Sequence, residues 1–175
     1  MAHGISKMGA GGEQRFRDLT GWIKSPDKRK GDAKDPERDD FAEMKEIKKK
    51  TKKKSGTINQ VRPAKFIPTV VYDGRFEQWY VIPPWYSVQE AASRARGQHT
   101  ESPFECMTFR VGSLVQYKVS EGQLLPRLKE VFEQEVNYKD LKEIVQSHIK
   151  AVRAEVEECR LAIKKLTSKS TKEIT

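Results

Sequence analysis

Residues 48–54 contain six lysines, Lys48, Lys49, Lys50, Lys52, Lys53 and Lys54, and a folded core cannot absorb so much like charge. Such a cluster is suited to binding a polyanion. On a nucleic acid, each ammonium that meets a phosphate releases about one counterion, which makes binding strong, salt-sensitive and indifferent to sequence. On an acidic lipid leaflet, each lysine near the surface contributes about 1 kcal/mol. The run also has the Lys-Lys-x-Lys form of a nuclear-import signal. Lys28, Arg29 and Lys30 upstream would make that signal bipartite, so an import receptor is a further partner. The plain alternative is a linker whose lysines only keep it in solution. Residues 1–63 carry 17 Lys/Arg against 10 Asp/Glu, residues 64–122 carry 6 against 6, and residues 123–175 carry 11 against 9. Most of the net charge of +9 therefore lies in the first third.

Pro83-Pro84-Trp85-Tyr86 has the Pro-Pro-x-Tyr spacing that WW-domain proteins read, as a polyproline-II turn docked through Pro83, Pro84 and Tyr86. The competing expectation is a Pro-Pro corner with Trp85 and Tyr86 packed inside, since the peptide directly follows the apolar run 76–82. Phe76, Trp79, Tyr80, Trp85 and Tyr86, near Arg75, Arg94 and Arg96, would suit a base-stacking platform, but the surrounding segment is electrically neutral and favours a hydrophobic core. No catalytic constellation emerges. His3 lies in a glycine-rich start, His99 in a polar loop, and His148 on the apolar face of a helical stretch, where a core histidine would sit. There is no phosphate-binding loop, serine elbow, metal-ligand spacing or Gly-x-Gly fingerprint after a strand. The expectation is a non-enzymatic protein with no cofactor, metal or small-molecule substrate.

The elements that must position these residues follow from composition and periodicity. A chain of 175 residues with 36% hydrophobic and 34% charged residues has room for one compact domain of roughly 100 residues plus appendages. Cys106 and Cys159 are too few for a disulfide framework and suggest a reducing compartment. No apolar run is long enough for a transmembrane helix or a secretory signal, so cytoplasm and nucleus are the expected locations.

Residues 1–63 read as a disordered basic arm, rich in glycine and turn signals, with a charged helix near 39–54 whose acids precede its lysines. Within the arm, Phe16, Leu19, Trp22 and Ile23 share one helical face, which would either fold back onto the domain or order on a membrane or partner. Residues 64–122 read as a small α+β core with ten of the fifteen aromatics. In it, the runs 66–72 and 76–82 form a hairpin about Asp73-Gly74, with Pro68 pushing the first run toward an edge. Ser87 would cap a helix over 88–96, and 104–119 would be one long strand or a strand pair bent at Gly112-Ser113. Residues 123–175 read as helical. Leu141, Ile144, Val145, Ile149, Val152, Val156, Ile163 and Leu166 recur at helical spacing and supply a self-association surface.

The order of elements resembles the matrix proteins of rhabdoviruses. The residues that carry the likeness are Lys65-Phe66, Tyr86-Ser87 through Glu90-Ala91-Ala92, and Pro103-Phe104 through Phe109-Arg110-Val111-Gly112-Ser113-Leu114. It covers about 55 residues of the 175. A Pro-Pro-x-Tyr peptide also occurs in that family as a budding signal, though in the flexible arm, and the charged helical end here departs from the family's more β-rich ending. The resemblance implies an arm that binds acidic lipid and nucleocapsid and a core that self-associates, at an inner membrane surface or in a virion.

The expected architecture is α+β: a disordered basic arm, a small aromatic-rich sheet with one helix, and a C-terminal helical hairpin. The expected function is non-enzymatic assembly of matrix type, linking RNA or nucleocapsid to an acidic membrane surface. A ribosomal or nuclear RNA-binding component and a helical protein–protein adaptor are the alternatives.

Overall fold

The runs Thr-Val-Val-Tyr-Asp and Gln-Trp-Tyr-Val-Ile have no polar alternation, and a strand that is apolar at consecutive positions must be covered on both faces. The computed structural model, which describes residues 10–48 and 56–170, shows how this is done. Its strands are β1 (Ile23–Lys24), β2 (Ala33–Lys34), β3 (Phe41–Ile47), β4 (Thr57–Val61), β5 (Thr69–Asp73), β6 (Gln78–Ile82), β7 (Met107–Arg110) and β8 (Lys118–Val119). Its helices are α1 (Ala10–Thr20), α2 (Pro84–Ala92), α3 (Leu124–Glu133) and α4 (Tyr138–Ser170). One sheet has the order β1-β2-β3-β5-β6-β8, and β4 pairs with β7 separately.

Successive residues of β5 and β6 serve opposite cores, as the two-residue period of a strand requires. Val70, Tyr72, Trp79 and Val81 share one core with Phe16, Trp22, and Leu124 and Leu128 of α3. Val71, Tyr80 and Ile82 share the other with Val61, Phe109, Val88 of α2 and Val145 of α4. The fold is α+β with its aromatics at the centre. The two C-terminal helices, expected as a hairpin, pack into separate cores on opposite faces of the sheet.

Several expectations are corrected. The stretch read as a charged helix near 39–54 contains β3, which runs parallel to β5 from Glu43↔Thr69 to Ile47↔Asp73. Phe41, Met44 and Ile47 have helical spacing only because this strand is buried on both faces, at 7%, 6% and 5% exposure. Its polar residue Glu43 is neutralised from within, accepting hydrogen bonds from Lys45 Nζ at 2.9 Å and Lys65 Nζ at 2.6 Å. Burial alone would raise the Glu43 pKa, but the two ammonium groups outweigh it and hold the carboxyl below its ordinary value.

The disordered-arm expectation for 1–63 fails over its described part. Phe16 is fully buried and Trp22 nearly so, while Leu19 and Ile23 of the same amphipathic stretch are 40% and 46% exposed. The stretch folds back onto the sheet, and the fold does not begin at residue 64. Pro68 does not make β5 an edge strand. It precedes the strand, and its carbonyl accepts from the Glu43 N–H at 3.0 Å. Ser87 is not a cap, because α2 begins at Pro84, whose fixed φ suits the first helical position. The span 104–119 holds two short strands, β7 and β8, separated by a 3-10 turn at Val111–Tyr117. Val111, Leu114 and Tyr117 are buried in that turn, at its own period of three.

Candidate polyanion interface

Of the lysine run only Lys48 is described, and Gly56 is the first described residue after it; Lys49, Lys50, Lys52, Lys53 and Lys54 lie outside the described residues. Backbone hydrogen bonds anchor the two flanks. The Gly74 N–H donates to the Ile47 carbonyl at 2.8 Å, and the Val111 N–H donates to the Gly56 carbonyl at 3.0 Å. The two flanks thus sit beside the β5–β6 turn and beside the 3-10 turn after β7. Between these turns lies a cavity of about 540 Å³, lined by Gly56, Asp73, Arg75, Phe76, Tyr80, Arg110 and residues of the 3-10 turn.

Each part of this cavity has a local cause. Asp73, at the end of β5, is fully buried and accepts from the Arg75 N–H at 3.1 Å, Nε at 2.8 Å and Nη2 at 2.6 Å. That carboxylate raises the Arg75 pKa and neutralises its charge. Gly56 makes room for the pair, since a Cβ there would overlap the Arg75 guanidinium and lie 2.7 Å from Ile47 Cδ1. The guanidinium also lies over the Phe76 ring at 5.2 Å. Phe76 itself, held at the tip of the β5–β6 turn, is 71% exposed, and Val115 across the cavity is 68% exposed. Burial, then the nearby Asp73 charge, raises the Tyr80 hydroxyl pKa, so the phenol stays neutral. The surroundings are cationic: Lys48, Arg110 and Lys118 are exposed, and Lys118 is the register partner of Tyr80.

The other sequence candidates are placed as follows. Lys28, Arg29 and Lys30 are exposed in a turn where Arg29 pairs with Asp27 at 3.1 Å and Lys30 lies over Phe41 at 5.0 Å. Phe41 opens β3 and Lys48 follows its end, which puts Lys30 roughly 20 Å from Lys48, at strand rise. Pro83 and Pro84 are buried, Pro84 starts α2, and Tyr86 stacks on Phe109 at 5.8 Å. In this folded state the peptide is not the extended, exposed ligand a WW domain reads, and the packed-corner alternative is what is observed. Of the five aromatics considered as a platform, Trp79 and Tyr80 are buried at 0% and 7% exposure, and Trp85 and Tyr86 are half-buried. Only Phe76 is exposed.

On α4, Val145 is buried, and Leu141 and Ile149 pack against the same core, so these three are committed to the chain's own fold. Val152 and Val156 are half-buried. Ile144, Ile163 and Leu166 are 63%, 61% and 71% exposed. His148 is exposed but edges onto Phe104 at 5.2 Å, and His99 sits in its loop with a φ of 62°. Among the described residues no group of three or more His, Cys, Asp or Glu is placed to hold a metal ion, and no helix is long and apolar enough to cross a membrane.

Arg110, Val115 and Lys118 were not visible as site residues in the sequence. Arg110 is the outward, polar member of the Met107-Thr108-Phe109-Arg110 alternation, which is the one local signal; the other two are brought in by tertiary packing alone. Comparison of the chain with protein-family models, curated proteins and solved structures found no match.

Proposed function

We propose that this chain is a non-enzymatic basic assembly protein that binds nucleic acid at the face between the β5–β6 turn and the 3-10 turn after β7. The observation that carries this reading is convergence: both flanks of the lysine run are anchored beside one cavity lined by Arg110 and the exposed ring of Phe76, with exposed Lys118 as the register partner of its Tyr80. Lys48, Lys49, Lys50, Lys52, Lys53 and Lys54 neutralise phosphates there, and the neutral core they spring from supports them. Self-association through the distal half of α4, where Ile163 and Leu166 remain more than half exposed, completes the assembly role. The resemblance to rhabdovirus matrix proteins agrees with such a role.

The test is the salt dependence of RNA binding. Six lysines engaged on a single strand give a slope of about −4 in log affinity against log salt. Replacing all six by alanine removes that slope and most of the binding while leaving the circular dichroism spectrum unchanged. Undiminished binding by that variant overturns the reading.

One observation favours a second target. Exposed Phe76 and Val115 beside clustered lysines are also what a protein inserting at an acidic membrane surface presents. Flotation with phosphatidylserine vesicles at physiological salt tests this directly. Flotation that the six-alanine variant loses, with no RNA binding by the parent, transfers the site to the membrane.

A further inference from the structure

We propose that the cavity between Phe76 and Val115 takes an unpaired base of a single-stranded nucleic acid, stacked on the Phe76 ring; this rests on the nucleic-acid reading above. Phe76 is 71% exposed at the tip of a tight turn, so most of its ring is left uncovered by the fold. One of its faces is covered by the Arg75 guanidinium at 5.2 Å. That guanidinium is itself held by two hydrogen bonds to the buried Asp73, from Nε at 2.8 Å and Nη2 at 2.6 Å. The ring is therefore backed by a rigid, planar cation and presents an aromatic surface to the cavity, an arrangement on which a base completes a stack.

The interior of the cavity selects among occupants. It is bounded by Asp73, Arg75 and the Tyr80 ring as well as by Val111 and Val115. Asp73 and Arg75 satisfy each other, so the cavity offers an apolar wall beside an aromatic ring with no charge of its own, which suits the flat, uncharged face of a base. The volume of about 540 Å³ lies within the usual range for small-ligand pockets, roughly 300–1,000 Å³. At the mouth, Arg110 has no ion-pair partner among the described residues and is free to meet a phosphate flanking the inserted base. The acidic neighbour Glu77 acts on Arg15 and Tyr72, and Tyr72 belongs to the core on the opposite face of the sheet. A paired base, stacked inside a duplex, cannot enter, so the site distinguishes single strands from duplexes.

The experiment compares the full-length parent with Phe76→Ala, Phe76→Trp and Arg110→Ala on a mixed-sequence oligonucleotide, as single-stranded RNA, single-stranded DNA and duplex. Phe76→Ala is expected to weaken single-strand binding about 5- to 150-fold, the range for losing one base–aromatic stack. The salt slope stays unchanged, because stacking releases no counterion. Phe76→Trp restores the affinity, and duplex binding changes by less than about twofold, because it depends on phosphates. Arg110→Ala lowers the single-strand slope by about 0.7, one phosphate contact. A loss confined to the RNA strand assigns the occupant as RNA; equal loss on both strands assigns it as a base of either. Single-strand binding by Phe76→Ala equal to the parent, or an equal loss on single strand and duplex, overturns base insertion. If the six-alanine variant has meanwhile lost its binding, the polyanion function stands without it. Parent protein that binds no oligonucleotide overturns both.

Discussion

Phe16→Ala separates a docked N-terminal helix from a loose basic arm. Phe16 is fully buried, edge-on to Trp22 at 5.7 Å and tilted against Trp79 at 6.4 Å, in a core that holds Val70, Val81, Leu124 and Leu128 as well. Removing a buried phenylalanine ring costs about 3–5 kcal/mol, from lost transfer energy and the cavity left behind. The adjoining aromatic pairs place the loss toward the upper half of that range. Against a total stability of about 5–15 kcal/mol for a domain of this size, the variant gives up at least a fifth of its margin. At roughly 2–4 °C per kcal/mol, the melting temperature falls by about 6–20 °C. The assay is urea denaturation of the full chain followed by tryptophan fluorescence, because Trp22 and Trp79 flank the deleted ring. Leu19→Ala on the same helix is the control: its side chain is 40% exposed, and its expected cost is below about 1 kcal/mol. If Phe16→Ala has the midpoint and slope of the parent, α1 is not part of the cooperative fold and the packing argument collapses.

Two further variants test other parts of the fold. Glu43 has its pKa lowered on folding, so its contribution is fully present above the ordinary glutamate value and is lost as pH falls through the depressed folded one. Glu43→Gln therefore flattens the acid limb of stability against pH, and at neutral pH it costs about 3 kcal/mol by leaving Lys45 and Lys65 without their shared carboxylate; an acid limb as steep as the parent's refutes this. Along α4, Val145→Ala at 1% exposure costs about 2–3 kcal/mol, while Leu166→Glu at 71% exposure leaves stability within about 0.5 kcal/mol and lowers the sedimenting mass if the distal half mediates self-association. Parent and Leu166→Glu sedimenting alike place association elsewhere.

The elements that could be read from the sequence are those whose pattern is local. The β5–β6 hairpin is marked by two apolar runs around a turn, and α3 and α4 by apolar residues at spacings of three and four. β3 escaped because it is a strand buried on both faces, and such a strand has no period of two to display. Its Glu43 is supplied with counterions by Lys45 two residues on and Lys65 far along the chain, and only the first is visible locally. The same holds for the site. Arg75 and Phe76 stand beside a recognisable turn, whereas Val115 joins them only after β4–β7 pairing and the 3-10 turn bring it across. The lysine run was legible as charge but not as location, since nothing in residues 48–54 says that its ends are tied to Gly74 and Val111.

That location changes how the basic segment must be tested. Cutting the chain at residue 63 to remove the lysines would also remove α1 and β1 through β4, which supply Phe16 and Trp22 to one core and Ile58 and Val61 to the other. Loss of binding after such a cut would report unfolding. Substitution in place is the informative route, and the charge distribution explains why it should succeed. Inside the cavity the Arg75 charge is cancelled by Asp73 and the Tyr80 phenol is held neutral, so no net charge waits there for a partner. The uncompensated positive charge is displaced outward, to Lys48, Arg110 and Lys118. A neutral, partly aromatic interior with a cationic rim matches the division within a nucleotide, whose base is flat and uncharged and whose phosphate is anionic. Alanine at the six lysines therefore removes cationic charge without touching the described interior, and alanine at Phe76 does the reverse, so the two losses should be additive in free energy.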